Sequence, residues 1–249
     1  MYQMTEDKAV AAVPDGCIDL VFEYAPEGIN AKVCGTVFEC KKTFFRYGCT
    51  YFGVRFLPGV QPRLFDVPQA SLIDCETDLR LLGDCEALLA CMAEQTDFSG
   101  RIEAFLKIYG GAAPKEGAAL DSCKGRLAAE ALQEIYRSGG CVTVKALEDY
   151  SGYSSRYINK AFHEAVGYSP KTLCKIVKFQ RVLCHMNDVA ALGRAGEERL
   201  TDAALDFGYY DQPQLIRDFK KYTHMTPRAY EQMVLGAKYN QHLIEEKIL

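Results

Sequence analysis

Two runs of side chains in the second half of this 249-residue sequence have the chemistry to read a nucleic acid. Arg156, Asn159, Lys160 and His163 recur at i, i+3, i+4 and i+7, so a helix would line them along one polar face, with Ser155 and Tyr157 beside them. Further on, Gln212, Gln214, Arg217, Lys220 and Lys221 form a second such set. Arginine pairs bidentately with guanine, and asparagine or glutamine with adenine. Lysine neutralises phosphate.

Other candidates point to weaker chemistry. Asp15, Asp19 and Arg55 either line a pocket for a polar effector, or Asp15 serves its Pro-Asp-Gly turn while Asp19 and Arg55 make a structural ion pair. The second alternative is the favoured one. The eleven cysteines include no Cys-x-x-Cys pair, and their odd count in apolar runs suits reduced, buried thiols. Cys17, and Cys49 between Arg46 and Arg55, are the thiols that a cysteine-dependent DNA-repair enzyme would use, an alternative with no ligand-spaced cluster behind it. All four histidines lie in the C-terminal half, so a strand-rich N-terminal domain lacks imidazole for a metal centre. The expectation is therefore no enzyme: no catalytic residue, no cofactor and no metal.

These side chains need elements to hold them. Ile18, Leu20, Phe22 and Tyr24 alternate with Cys17, Asp19, Val21 and Glu23, the period of a half-buried strand. The runs 31–38 and 50–57 are similar, with turns at Pro14-Asp15-Gly16, Pro26-Glu27-Gly28 and Pro58-Gly59. Helical spacing takes over at 79–93 and 98–109. The aromatic set Phe44, Phe45, Tyr47, Tyr51 and Phe52 is expected in the core. Gly110 to Gly117, small and proline-containing, reads as a linker. The expected organisation is a strand-rich N-terminal domain over 1–109, a linker over 110–119, a DNA-binding domain over 120–233 and a helical tail over 234–249. The fold class is α+β: a small antiparallel β-sheet or partial barrel with helices, then an all-α, homeodomain-like tandem helix-turn-helix domain.

Charge divides at the same boundary. Residues 1–121 hold 11 Lys and Arg against 18 Asp and Glu, whereas residues 122–249 hold 18 against 15. Between Ser154 and Val182 the basic residues are Arg156, Lys160, Lys171, Lys175, Lys178 and Arg181, against Glu164 alone. A local basic surface is what phosphate contact requires. No stretch is apolar for long enough to span a bilayer, and Met1–Asp7 lacks the build of a signal peptide, so the expected place is the cytoplasm, on the nucleoid.

The C-terminal half repeats itself. Val144…Leu147…Gly152-Tyr153-Ser154…Ile158…Phe162…Pro170 recurs as Leu200…Ala203…Gly208-Tyr209-Tyr210-Asp211…Leu215…Phe219…Pro227. In each copy a capping residue (Thr143, Thr201) opens a short helix, glycine turns the chain, and Ser154 or Asp211 caps a second helix. Pro213 falls in a first turn, where its missing N–H costs little. The second helices bury Ile158 and Phe162, or Leu215 and Phe219, and turn the polar sets outward. A long helix from Ser169-Pro170 to about residue 192 joins the copies. Two recognition helices held this way would enter successive major grooves, roughly 34 Å apart.

The stretch from Gly208 to Tyr230, with Gly208-Tyr209-Tyr210-Asp211-Gln212-Pro213 and Met225-Thr226-Pro227, closely resembles the signature of the AraC/XylS family of transcription regulators. The likeness runs from about Leu120 to Met233. It implies a seven-helix DNA-binding domain, with Arg156, Asn159 and Lys160, then Gln212, Gln214 and Arg217, at contact positions. The segments 14–22 and 52–59 more loosely resemble an accessory domain that senses a small molecule, dimerises, or both. The partners implied are double-stranded DNA, a small-molecule effector, RNA polymerase and a second copy of the chain, with no membrane. Two departures accompany the likeness. Glu148 stands where the first unit usually has a small residue, which bears on its packing. The connection over 191–199 is longer than usual, which bears on the spacing of the units.

Overall fold

The computed structural model describes residues 2–60, 62–111, 122–191 and 204–236. The linker at 112–121, the long connection at 192–203, including the Thr201 cap, and the tail beyond Gly236 lie outside the described residues.

The N-terminal half is built on strands β1 (Tyr2–Gln3), β2 (Lys8–Ala12), β3 (Ile18–Ala25), β4 (Gly28–Cys34), β5 (Lys41–Phe45), β6 (Thr50–Phe56) and β7 (Glu76–Asp78). Five form one antiparallel sheet in the order β1-β6-β3-β4-β7, and β2 pairs with β5 in a second, two-stranded sheet. The alternation in β3 works as expected: Ile18, Leu20 and Phe22 are buried while Asp19 and Val21 are half-buried. Their face packs on α1 (Glu86–Ala93) and α2 (Phe98–Gly111) through Leu88, Leu89, Met92, Ala104 and Phe105.

Two expectations need correction here. The stretch 79–93 is not one helix: a 3₁₀ turn at Leu79–Leu81 ends before Gly83-Asp84, and α1 starts only at Glu86. Of the aromatic set, Tyr51 and Phe52 are buried, but Phe44 and Tyr47 are each 69% exposed. Phe44 lies in the two-stranded sheet and Tyr47 beyond it, away from the main core.

The C-terminal half comprises α3 (Cys123–Arg137), α4 (Val144–Ser151), α5 (Ser155–Val166), α6 (Pro170–Ala191), α7 (Gln212–Thr223) and α8 (Pro227–Gly236), with Ala204–Asp206 also helical. It has two cores. Leu127, Ile135, Leu147, Ile158, Phe162 and Leu173 form the first, and Phe179, Val182, Ala204, Leu215, Phe219 and Tyr222 the second. Helix α6 contributes to both, its N-terminal half to one and its C-terminal half to the other. Among the described residues, no helix is long and apolar enough to cross a membrane.

Candidate nucleic-acid interface

Helices α4 and α5 form one helix-turn-helix. Thr143 Oγ1 accepts from Ala146 N at 3.0 Å and caps α4. Gly152 closes that helix at φ 74°, a left-handed turn that residues with a Cβ adopt only at a cost. Ser154 Oγ then accepts from Tyr157 N at 3.4 Å and opens α5. Ile158 and Phe162, 1% and 0% exposed, lock α5 to the core.

The outward face of α5 holds Arg156, Lys160 and His163, all exposed, with Ser155, Tyr157 and Asn159 half-buried. Not every polar group there is free. Asn159 Nδ2 donates to Ser155 O at 2.8 Å, inside its own helix. Tyr157 stacks on Tyr153 at a centroid distance of 5.1 Å.

Glu148 has a role that its position in the repeat does not suggest. Its carboxylate accepts from Ser155 N at 3.1 Å and Ser155 Oγ at 2.9 Å, a second cap on α5. Those hydrogen bonds from Ser155 hold the Glu148 carboxyl below its ordinary value of 4.5. A lowered carboxyl contributes stability that is present above 4.5 and lost as pH falls through the folded value. Glu148→Gln should therefore lower the melting temperature at pH 7, with the difference from wild type shrinking once the pH drops below 4.5. A difference that stays constant down to pH 3 would remove the charged cap from the account.

Helix α7 repeats the arrangement. Asp211 Oδ1 accepts from Gln214 N at 2.8 Å, and the Gln214 side chain reaches back to accept from Tyr210 N, the residue before the cap, at 3.0 Å. Leu215 and Phe219 are each 1% exposed. Gln212, Arg217, Lys220 and Lys221 are exposed, whereas Gln214 is half-buried by its capping bond. Lys221 Nζ lies 3.7 Å from Glu39 of the N-terminal half.

Helix α6 joins the units with side chains that sequence reasoning assigns to the basic surface. Lys178 Nζ donates to Gly208 O at 2.6 Å, in the turn of the second unit. Arg181 Nη1 donates to Gly139 O at 3.3 Å, after α3, and its guanidinium lies 5.4 Å from the Phe207 ring. Both act as struts between units, leaving Lys171 and Lys175 of α6 exposed.

Asp15, Asp19 and Arg55 meet in one cluster. Arg55 Nε and Nη2 donate to Asp19 at 2.8 and 2.7 Å, and Nη1 lies 2.9 Å from Asp15 Oδ2. The hydrogen bond to Asp19, then the charge of Asp15, raise the Arg55 pKa against the opposing effect of burial. The other oxygen of Asp15 accepts from Cys17 N at 3.0 Å. Burial, with Asp15 and Asp19 beside it, pushes the Cys17 thiol up to about 12, which makes it a poor nucleophile. Cys49 is buried at 2% exposure.

The described geometry has counterparts among known proteins. Residues 147–233 match the family described as "Helix-turn-helix domain", and residues 2–78 match "Domain of unknown function (DUF6597)". No curated protein sequence matches the chain. Among solved structures, ToxT from Vibrio cholerae O395 is 10% identical, with TM-score 0.42, over 94% of this chain and 96% of its own. Unsaturated fatty acid-bound ToxT from Vibrio cholerae strain SCE256 is 11% identical, with TM-score 0.39, over 94% of each chain. Likeness at this level carries no residue and no ligand over to this chain.

Proposed function

We propose that this chain is a DNA-binding transcription regulator of the AraC/XylS type, and that it reads a bipartite site with α5 and α7 in successive major grooves. The observation that supports this reading most is the duplicated architecture. Each unit has a side-chain cap, a left-handed glycine turn, a buried pair at i and i+4, and an exposed basic face. Base-reading roles fall to Arg156 and Lys160 in the first unit and to Gln212 and Arg217 in the second, all four exposed. His163, Lys220 and Lys221 face the phosphates. Ser155, Tyr157, Asn159 and Gln214 position the helices, since capping bonds or stacking already occupy them. Such a regulator acts in the cytoplasm on the nucleoid.

Salt titration tests the phosphate assignments. Lys221→Ala should weaken binding to every duplex alike and lower the slope of log K against log salt by about one. Glu39→Gln should do the reverse, raising affinity by at most about fivefold, because an exposed pair is worth roughly 0–1 kcal/mol. Slopes unchanged in both variants would remove Lys221 from the phosphate set.

Modulation by a small molecule at the N-terminal domain is the finer part of the proposal. A ligand that binds there should change DNA affinity, occupancy geometry or polymerase recruitment, and binding that leaves all three fixed would refute it. The second reading makes the N-terminal domain a dimerisation or polymerase-contact module. Phe44, Tyr47 and Leu57, each at least 63% exposed, favour giving that reading a test. Sedimentation of the full chain as a concentration-dependent dimer would support it, and a monomer at all concentrations would leave only the polymerase version.

A further inference from the structure

The N-terminal half touches both helix-turn-helix units: the 3₁₀ turn Gln69–Leu72 packs on α5, and one turn, Val13 to Cys17, accepts hydrogen bonds from residues in and just before α6. Pro14 O accepts from Gln180 Nε2, near the middle of α6, at 2.5 Å. Gly16 O accepts from the hydroxyl of Tyr168, just before α6, at 3.2 Å. Val13 packs on the second core, while Phe38 and Ile73 pack on the first. Phe38 meets the Tyr168 ring edge-on at 5.3 Å. Gly16 sits at φ 81°, and a Cβ there would come 2.7 Å from the Tyr168 hydroxyl and 3.0 Å from Pro58. The surfaces meet with no room for a side chain.

The turn is also braced from its own side. Asp15 binds Cys17 N through one oxygen and Arg55 through the other, and Arg55 grips Asp19 bidentately. Thr36 Oγ1 donates to Cys17 O at 2.9 Å. The carbonyls offered to Gln180 and Tyr168 therefore project from peptides whose neighbours are fixed by side-chain bonds. A rigid body that contacts two units joined by a single helix limits how that helix bends or twists.

We propose that the Pro14–Cys17 turn is a splint that sets the spacing at which α5 and α7 read DNA. Gln180 on α6 and Tyr168 just before it are its positioning residues, and Asp15, Asp19 and Arg55 are its braces rather than effector ligands. None of these five side chains touches DNA in this scheme. They act through the angle between the units. The proposal rests on the bipartite reading above and adds to it where the discrimination between spacings originates.

The test uses the full chain and DNA carrying its two half-sites at the preferred separation, or at separations longer and shorter by one and two base pairs. Wild type should prefer the native spacing steeply. Tyr168→Phe/Gln180→Leu removes both polar contacts but leaves the two cores intact. It should lose about five- to tenfold of the preference for native over altered spacing, the effect of one or two hydrogen bonds. Its affinity for a single half-site should stay within about twofold of wild type. Arg55→Met, which removes the bonds to Asp15 and Asp19, should shift the profile in the same direction. A double variant with the wild-type spacing profile would overturn the splint. So would one that loses single half-site binding to the same extent, because the contacts would then be needed for folding rather than for spacing. Wild-type protein indifferent to spacing would instead remove the bipartite reading itself, a failure visible before any variant is examined.

Discussion

Phe179→Ala is expected to cost about 3–5 kcal/mol of stability, the range for emptying a buried aromatic site. Phe179 is fully buried, with Phe219 at 5.6 Å in edge-to-face contact and Tyr222 at 5.0 Å. Truncation leaves both rings facing a void, and removes aromatic pairing worth roughly 0.5–1.5 kcal/mol beyond area. Domains of this size are stable by only about 5–15 kcal/mol, so the loss is a large fraction of the whole. Because Phe219 lies on the buried face of α7, the second recognition helix should loosen first. Urea unfolding followed by circular dichroism should show an early transition, and the second half-site should drop out of the bound DNA. Leu205→Ala, at a side chain 69% exposed, should change stability by no more than about 0.5 kcal/mol. Equal destabilisation by the two substitutions would mean that the second core is not packed around Phe179.

Arg217→Ala should leave stability nearly unchanged and cost about 1–3 kcal/mol on the preferred site, roughly 5- to 150-fold in affinity. Arg217 is exposed on α7, and among the described residues it makes no ion pair or hydrogen bond. Its five donors are free to grip a base edge bidentately. The loss should be confined to sequences with the preferred base at one position, and binding to unrelated duplex should fall far less. Lys221→Ala supplies the contrast, with its loss spread over all sequences. If Arg217→Ala weakened every duplex by the same factor, its role would be phosphate contact.

Local chemistry was the legible part of this protein. The caps at Thr143, Ser154 and Asp211, the glycine turns and the buried pairs all follow from residues within a few positions of one another. The alternation in β3 and the length of α6 follow in the same way. Long-range partners were not legible. Strands β2 and β5 pair across some thirty residues, and their short, mixed patterns of Ala and Lys show no alternation to read. Lys178 and Arg181 look like surface cations in sequence, yet each bonds a backbone carbonyl in a distant turn. The splint was the least visible feature, because half of each polar contact is a peptide oxygen, common to all residue types. Glu148 was a near miss. Its position seven residues before Ser155 is plain, but only the turn at Gly152 brings the carboxylate back onto the start of α5.

The central claim is that two recognition helices, held at a fixed relation, read two short motifs. Selection of bound sequences from random duplex DNA by the full chain, at one moderate salt concentration, tests it most directly. The account predicts enrichment of two motifs about one helical turn apart, 10–10.5 base pairs from centre to centre. Enrichment of a single motif, or salt-sensitive retention of all sequences with no motif, would contradict it.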